Sequence, residues 1–179
     1  EAPQVVVSHT LTNRGLWPVE CAPWAITQLK PGGVAILPQS LGQTGFIPNR
    51  SLTFWPYTDL ADPRFYPGNL YLRIDSDRHS KPFKVGFPNP RGWLAYWNAG
   101  TLFVKRAPFE TRAAYVDFNS SSECYCNDRF LELETLAPIR TLEPGEASTH
   151  TETWEIHAGV DFPADEAATQ SMVEKLGLE

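Results

Sequence analysis

Cysteine is nearly absent: three residues, Cys21, Cys124 and Cys126, in a chain of 179. An odd number excludes a closed disulfide framework, and no second Cys pair or His pair completes a zinc pattern, so the three read as reduced structural residues. Positive charge is also short, with 15 Lys and Arg against 21 Asp and Glu and a net charge of −6. The basic residues are scattered and form no block, which removes the footprint of a nucleic-acid-binding surface. No apolar run approaches the roughly 20 residues that cross a bilayer, so no membrane span is expected. The start, Glu1-Ala2-Pro3-Gln4, has neither an initiator Met nor the pattern of a signal peptide, which reads as a processed or truncated chain and leaves the compartment open. No Gly-x-Ser-x-Gly elbow and no Gly-rich phosphate cradle occur; Lys30-Pro31-Gly32-Gly33 is a turn. The four histidines lack metal-ligand spacing. His79 follows the polar stretch 75–78, which lacks the Gly and distal Glu of a calcium loop. Neither a metal nor a cofactor is expected.

What the chain has is turn chemistry and aromatic bulk. Sixteen Pro and twelve Gly suit short strands joined by turns rather than a helical bundle, and aromatics make up 12 %. Residues 5–12 alternate, with Val5, Val7, His9 and Leu11 on one face of a strand. A second strand is expected over 18–29, carrying Trp24, then a turn at 30–33 and a buried strand at 34–37, the three forming an antiparallel meander. Residues 38–68 read as a long loop with interleaved aromatics, Trp55 and Tyr57 among them. Strands follow at 70–74 and 83–87. Residues 93–97 and 102–105 flank Asn98-Ala99-Gly100 as a hairpin. Residues 107–128 look irregular, 129–136 is a strong strand, and 149–157 is the last. Only the tail, about 163–176, is helical, with Ala168, Met172 and Leu176 recurring every four residues. No repeat or boundary interrupts the chain, so 1–179 reads as a single all-β domain, an antiparallel sandwich with a short C-terminal helix.

The acidic strand carries the chemistry. Glu132 and Glu134 share one face with Phe130 and Leu136, while Leu131, Leu133 and Thr135 point the other way. Two carboxylates at i and i+2 lie roughly 6–7 Å apart along a strand, close enough to raise one pKa if the face is enclosed. The face is either a general-base site or a solvated sheet surface. His9 reads as a core histidine, and His150, Glu152 and Trp154 share one face of the last strand. Trp24, Trp55, Trp93 and Trp97 are the aromatic candidates, and one or two of the six tryptophans are expected to face a cleft, where a flat indole can stack on a sugar.

Several stretches together resemble a known group. In order they are Val7-Ser8-His9-Thr10-Leu11-Thr12-Asn13, Ala22-Pro23-Trp24-Ala25-Ile26-Thr27, Phe130-Leu131-Glu132-Leu133-Glu134-Thr135-Leu136 and Leu142-Glu143-Pro144-Gly145-Glu146. They resemble the uncharacterised bacterial DUF4380 family, which is similar to the galactose mutarotase (aldose 1-epimerase) superfamily. The resemblance runs from Val5 to about Ile156 and implies a supersandwich of two large antiparallel sheets, here incomplete on its N-terminal side. It also implies a catalytic carboxylate in a Leu-Glu-Thr context, matched by Leu133-Glu134-Thr135, which makes Glu134 the base candidate. The family's acid is a His in a His-x-Tyr-Phe context; the corresponding stretch here has Trp24.

The function expected is therefore carbohydrate binding or carbohydrate chemistry at a cleft centred on Glu132 and Glu134, with Trp24 as an apolar wall and Asn127 and Trp97 as further ligand contacts. A mutarotase-type epimerase is the alternative: Glu134 is its base, and His9 or His150 replaces the missing acid. A hydrolase or lyase using Glu132 with Glu134 fits poorly, because neighbours on one strand rarely flank a sugar. The fourth reading is a non-catalytic structural module. Carbohydrate is the expected partner, and a dimer or a missing N-terminal segment would cover open strand edges.

Overall fold

A computed structural model describes residues 2–76 and 81–179, so His79 lies outside the described residues. The strands, in chain order, are β1 (Gln4–Thr12), β2 (Val19–Cys21), β3 (Trp24–Leu29), β4 (Val34–Pro38), β5 (Thr53–Phe54), β6 (Phe65–Pro67) and β7 (Tyr71–Asp75). They continue as β8 (Phe83–Phe87), β9 (Trp93–Asn98), β10 (Thr101–Arg106), β11 (Ser122–Cys126), β12 (Leu131–Leu136), β13 (Arg140–Leu142) and β14 (Ala147–Ala158), followed by helix α1 (Glu166–Leu176). Every pairing is antiparallel. Seven strands form one sheet in the order β1-β14-β10-β9-β4-β7-β6, five form a second in the order β3-β12-β11-β8-β5, and β13 pairs with β2.

The two sheets face each other over an apolar core. Ala35, Leu37, Leu72, Ile74, Leu94 and Tyr96 from the larger sheet meet Phe83, Val85, Phe87, Cys124, Cys126, Leu131 and Leu133 from the smaller. A second core lies on the outer face of the larger sheet. There Ile36, Trp93, Ala95, Leu102 and Val104 are covered by Val160, Met172, Val173 and Leu178. Strand β4 is buried along its whole length because both its faces are covered, which is why it reads as a continuous apolar run. Helix α1 begins where the Asp165 side chain accepts from Ala168 N at 2.8 Å and ends at Gly177 in the left-handed region. The layers are thus helix, seven-stranded sheet and five-stranded sheet, and among the described residues no helix covers the outer face of the five-stranded sheet. No helix among the described residues is long and apolar enough to cross a membrane.

The sandwich and its C-terminal helix agree with the sequence reading; several local expectations are corrected. The first three strands are not a meander. β1 pairs with β14, β3 with β12, and β4 with β7 and β9, because the turn at 30–33 carries the chain from one sheet to the other instead of folding it back. The strand expected over 18–29 is two, broken at Ala22-Pro23, where Pro23 has no N–H to donate. Residues 107–128 contain β11, whose partners lie on either side of it in the sheet. The helix starts at Glu166 rather than near 163, because Asp165 is its cap. The hairpin at 98–100 is present, with Ala99 and Gly100 both at positive φ as a two-residue turn requires.

Candidate functional site

Alternation along β12 sends Leu131 and Leu133 into the core and Glu132, Glu134 and Leu136 to the opposite, outer face. Register then fixes their neighbours. Leu136, Glu134 and Glu132 lie beside Trp24, Ile26 and Gln28 of β3. On the other side Glu134 lies beside Glu123 of β11, and Glu132 beside Tyr125. One strand further, β8 sets Lys84 beside Tyr125 and Gly86 beside Glu123.

Lys84 is the centre of this face. Its Nζ lies 2.7 Å from Glu123 Oε2 and 3.0 Å from Glu134 Oε2. It also sits 4.8 Å from the centroid of the Trp24 ring and 4.7 Å from that of Trp55, so the ammonium is held by two carboxylates and two indoles. Trp24 Nε1 donates to Glu134 Oε2 at 2.9 Å. Glu123 and Glu134 are fully buried, whereas Trp24 is 51 % and Tyr57 46 % exposed. Trp55 and Tyr57 arrive on the long loop, which Thr58 fastens to β8: its Oγ1 donates to Lys84 O at 2.8 Å and accepts from Lys84 N at 3.0 Å. Gly86 makes room for this packing. A Cβ there would lie 2.5 Å from Ser120 Oγ and 3.2 Å from the Trp55 ring. At the rim, residues 117–119 form a left-handed turn with φ of 48° at Asp117, 55° at Phe118 and 70° at Asn119, and Phe118 stands fully out into solvent. Gln28 Nε2 donates to Glu132 Oε1 at 2.9 Å in the open. Tyr57 meets Tyr125 edge-on at 6.4 Å, and Tyr125 meets Phe130 at 6.0 Å.

Burial sets the protonation of the pair. It pushes Glu123 up to about 8; Lys84 pulls against it, and the charges of Glu134 and Asp117 add to it. Burial likewise raises Glu134, partly opposed by Lys84 and the Trp24 N–H. For Lys84, burial lowers the pKa, but the two carboxylates outweigh it and the net shift is upward. Between the ordinary carboxylate value and about 8, the folded protein therefore holds a proton on Glu123 that the unfolded chain has released. Folding takes up that proton, so stability falls as pH rises from about 5 to about 8. Urea denaturation across that window should show the midpoint decline, and Glu123→Gln should flatten it. A wild-type midpoint that rises over the same range would contradict the assignment.

The two histidines proposed as acids are brought together, but behind β12 rather than beside Glu134. Thr135, on the core side of the strand, shares a hydrogen bond with His150 Nε2 at 2.9 Å and donates to Glu152 Oε1. Lys105 Nζ, fully buried, lies 2.8 Å from Glu152 Oε1 and donates to Ala25 O at 2.9 Å, Leu133 O at 3.0 Å and Thr27 Oγ1 at 3.1 Å. His9 Nε2 lies 3.2 Å from Glu152 Oε2, and the His9 and His150 rings stack at 6.5 Å. His9 is only half-buried, because β1 is the outermost strand of its sheet and its Val5 and Leu11 neighbours are exposed. Burial holds His150 below its usual range, in the neutral form. Burial also pushes Lys105 down. It would push Glu152 up, but the Lys105 charge and the donors around it reverse the shift.

Two expected ligand contacts are placed elsewhere. Trp97 lies on the far side of the larger sheet, its Nε1 donating to Val160 O at 2.8 Å and its ring 4.9 Å from Phe162. Asn127 closes the β11–β12 turn, its Oδ1 accepting from Arg129 N and Phe130 N. Only its amide approaches the site, 3.2 Å from the Tyr125 hydroxyl. Sequence reasoning missed Glu123 and Lys84. The alternation of Ser122-Glu123-Cys124-Tyr125-Cys126, and a lone Lys84 between Phe83 and Val85, were the available signals.

No family model and no curated protein matches this chain. Solved structures do, among them these two. One is an Escherichia coli K12 protein proposed to be an aldose 1-epimerase: 14 % identity, TM-score 0.52, 87 % of this chain and 56 % of that one. The other is the Slr1438 protein of Synechocystis sp. PCC 6803, at 9 % identity and TM-score 0.48, over 87 % of this chain and 51 % of that one. The first likeness shows an aldose 1-epimerase-like, galactose mutarotase-like fold, and the chain spans about half the length of the structures it matches.

Proposed function

We propose that the outer face of the five-stranded sheet binds carbohydrate without turning it over, with Trp24 as the platform and Glu132, Gln28 and the Tyr57–Tyr125 pair as the polar and aromatic rim. One observation carries this reading: Trp24 is half open to solvent yet held from two sides, by its N–H to Glu134 and by the Lys84 ammonium. A ring already fixed loses little freedom when a flat ligand stacks on it. The same geometry favours binding over epimerisation. Glu134 is fully buried and its Oε2 is engaged by Trp24 and Lys84, so it is poorly placed to take a proton from a sugar hydroxyl. His9 and His150 sit behind its strand. The kinship with the DUF4380 family belongs to this proposal as well and rests on the motif order alone.

Titration calorimetry with neutral oligosaccharides tests it. The wild type should bind at least one hexose oligomer, and Trp24→Ala should weaken that binding at least tenfold while leaving far-UV circular dichroism unchanged. A well-folded protein silent to every oligosaccharide would sink the reading. Anomer exchange by NMR that is accelerated by wild type and lost in Glu134→Gln would replace it with the epimerase.

A further inference from the structure

The charges on this face are unbalanced, and the imbalance names a ligand chemistry. Outward positions on the four strands that form it are Trp24, Ile26 and Gln28, then Glu132, Glu134 and Leu136, then Glu123 and Tyr125, then Lys84 and Gly86. Lys84 is the single cation of that set; with Glu123 holding its proton, Glu134 pairs with Lys84 and Glu132 is left as the uncompensated carboxylate. The acceptors also outnumber the donors. Glu123 and Glu134 are fully buried, and each leaves its Oε1 without a hydrogen-bond partner among the described residues. Lys84 has spent its ammonium on their other oxygens and on one side of each indole.

An uncompensated carboxylate beside aromatic rings disfavours uronic acids and sugar phosphates and favours cations. Glu132 is the carboxylate that an incoming group can reach. It is partly exposed, its described hydrogen bond is the solvent-side one from Gln28, and it lies beside Tyr125 in register, with Tyr57 edge-on to that ring. The Lys84 ammonium already sits against Trp24, so a second cation is better placed on the Glu132–Tyr125 side, with the sugar body on the free surface of the indole.

Building on the carbohydrate reading, we infer that the ligand is a sugar bearing a protonated amine, such as a de-N-acetylated amino-sugar oligomer, with its ammonium paired to Glu132 and its ring on Trp24. The discriminating experiment compares chitosan tetramer, its fully N-acetylated counterpart and cellotetraose by calorimetry. It is run at about pH 6 and low salt, where the sugar amine is protonated and an ordinary carboxylate ionised. The expected result is about tenfold tighter binding of chitosan tetramer than of the other two, a preference that Glu132→Gln reduces to parity and that added salt erodes. Glu132→Gln is expected to keep the wild-type melting temperature, since the Glu132–Gln28 hydrogen bond is exposed. Equal or tighter binding of the acetylated or neutral tetramer overturns the ammonium inference and leaves the carbohydrate reading standing. A preference that survives Glu132→Gln overturns the pairing assigned to Glu132. Silence to all three by a folded protein overturns both.

Discussion

Lys105→Met should cost the fold about 3–5 kcal/mol, the usual consequence of removing one partner of a buried ion pair. Lys105 has no exposed surface. Its Nζ ends on Glu152 Oε1, the carbonyls of Ala25 and Leu133, and Thr27 Oγ1. Methionine fills most of the volume and satisfies none of the four. Glu152 would keep hydrogen bonds from Thr135 and Trp154 but lose its buried cation between the sheets. The carbonyls of Ala25 and Leu133 also flank Trp24 and Glu134, so the same change should loosen the site from behind. Denaturant unfolding measures the first effect, and the part of the native-buffer tryptophan fluorescence that Trp24→Phe removes reports the second. A Lys105→Met variant within about 1 kcal/mol of wild type would contradict a stabilising role for the buried Lys105–Glu152 pair.

Lys84→Met should be the second severe change, with a distinct pH signature. The ammonium separates two carboxylates that face each other across β11 and β12, both without solvent exposure. Without it, Glu134 cannot stay charged cheaply either, and both carboxyls should hold protons in the folded state over a wider pH range than in the wild type. The unfolded chain releases those protons above the ordinary carboxylate range, so the loss should be small near pH 5 and grow to about 3–5 kcal/mol or more toward pH 8. Adding Glu134→Gln should recover a large part of it at high pH, because a neutral amide replaces one of the two buried acids. A Lys84→Met penalty that is the same at both pH values would contradict the buried triad. Far-UV spectra at pH 5 keep the test readable even if the variant unfolds at neutral pH.

How much was legible depends on the range of the interaction. The Phe130–Leu136 strand was readable because alternation is local: Leu131 and Leu133 do enter the core, and Glu132 and Glu134 do share the other face. The hairpin at Ala99-Gly100 was readable because a two-residue turn dictates its residues. The meander was wrong because strand partners are chosen over long separations, and β1 finds β14 across the whole chain. Alternation places His9 on the inward face of β1 with Val7. An edge strand, however, covers only part of its inner face, which alternation does not register.

By itself, the sequence determined that this chain is an antiparallel sandwich with a helical tail, and that Glu132 and Glu134 point the same way. Period-2 patterning and turn residues act between neighbours, so they can be read from neighbours. Only the tertiary structure decided what Glu134 faces: Glu123 from one strand, Lys84 from another, Trp24 from a third and Trp55 from a loop. Those four meet because of register across β3, β12, β11 and β8, which is set by the packing of the whole sheet against the core. That packing turned a candidate base into a buried, partnered carboxylate, and left Glu132 and the open half of Trp24 as the surface a ligand would meet.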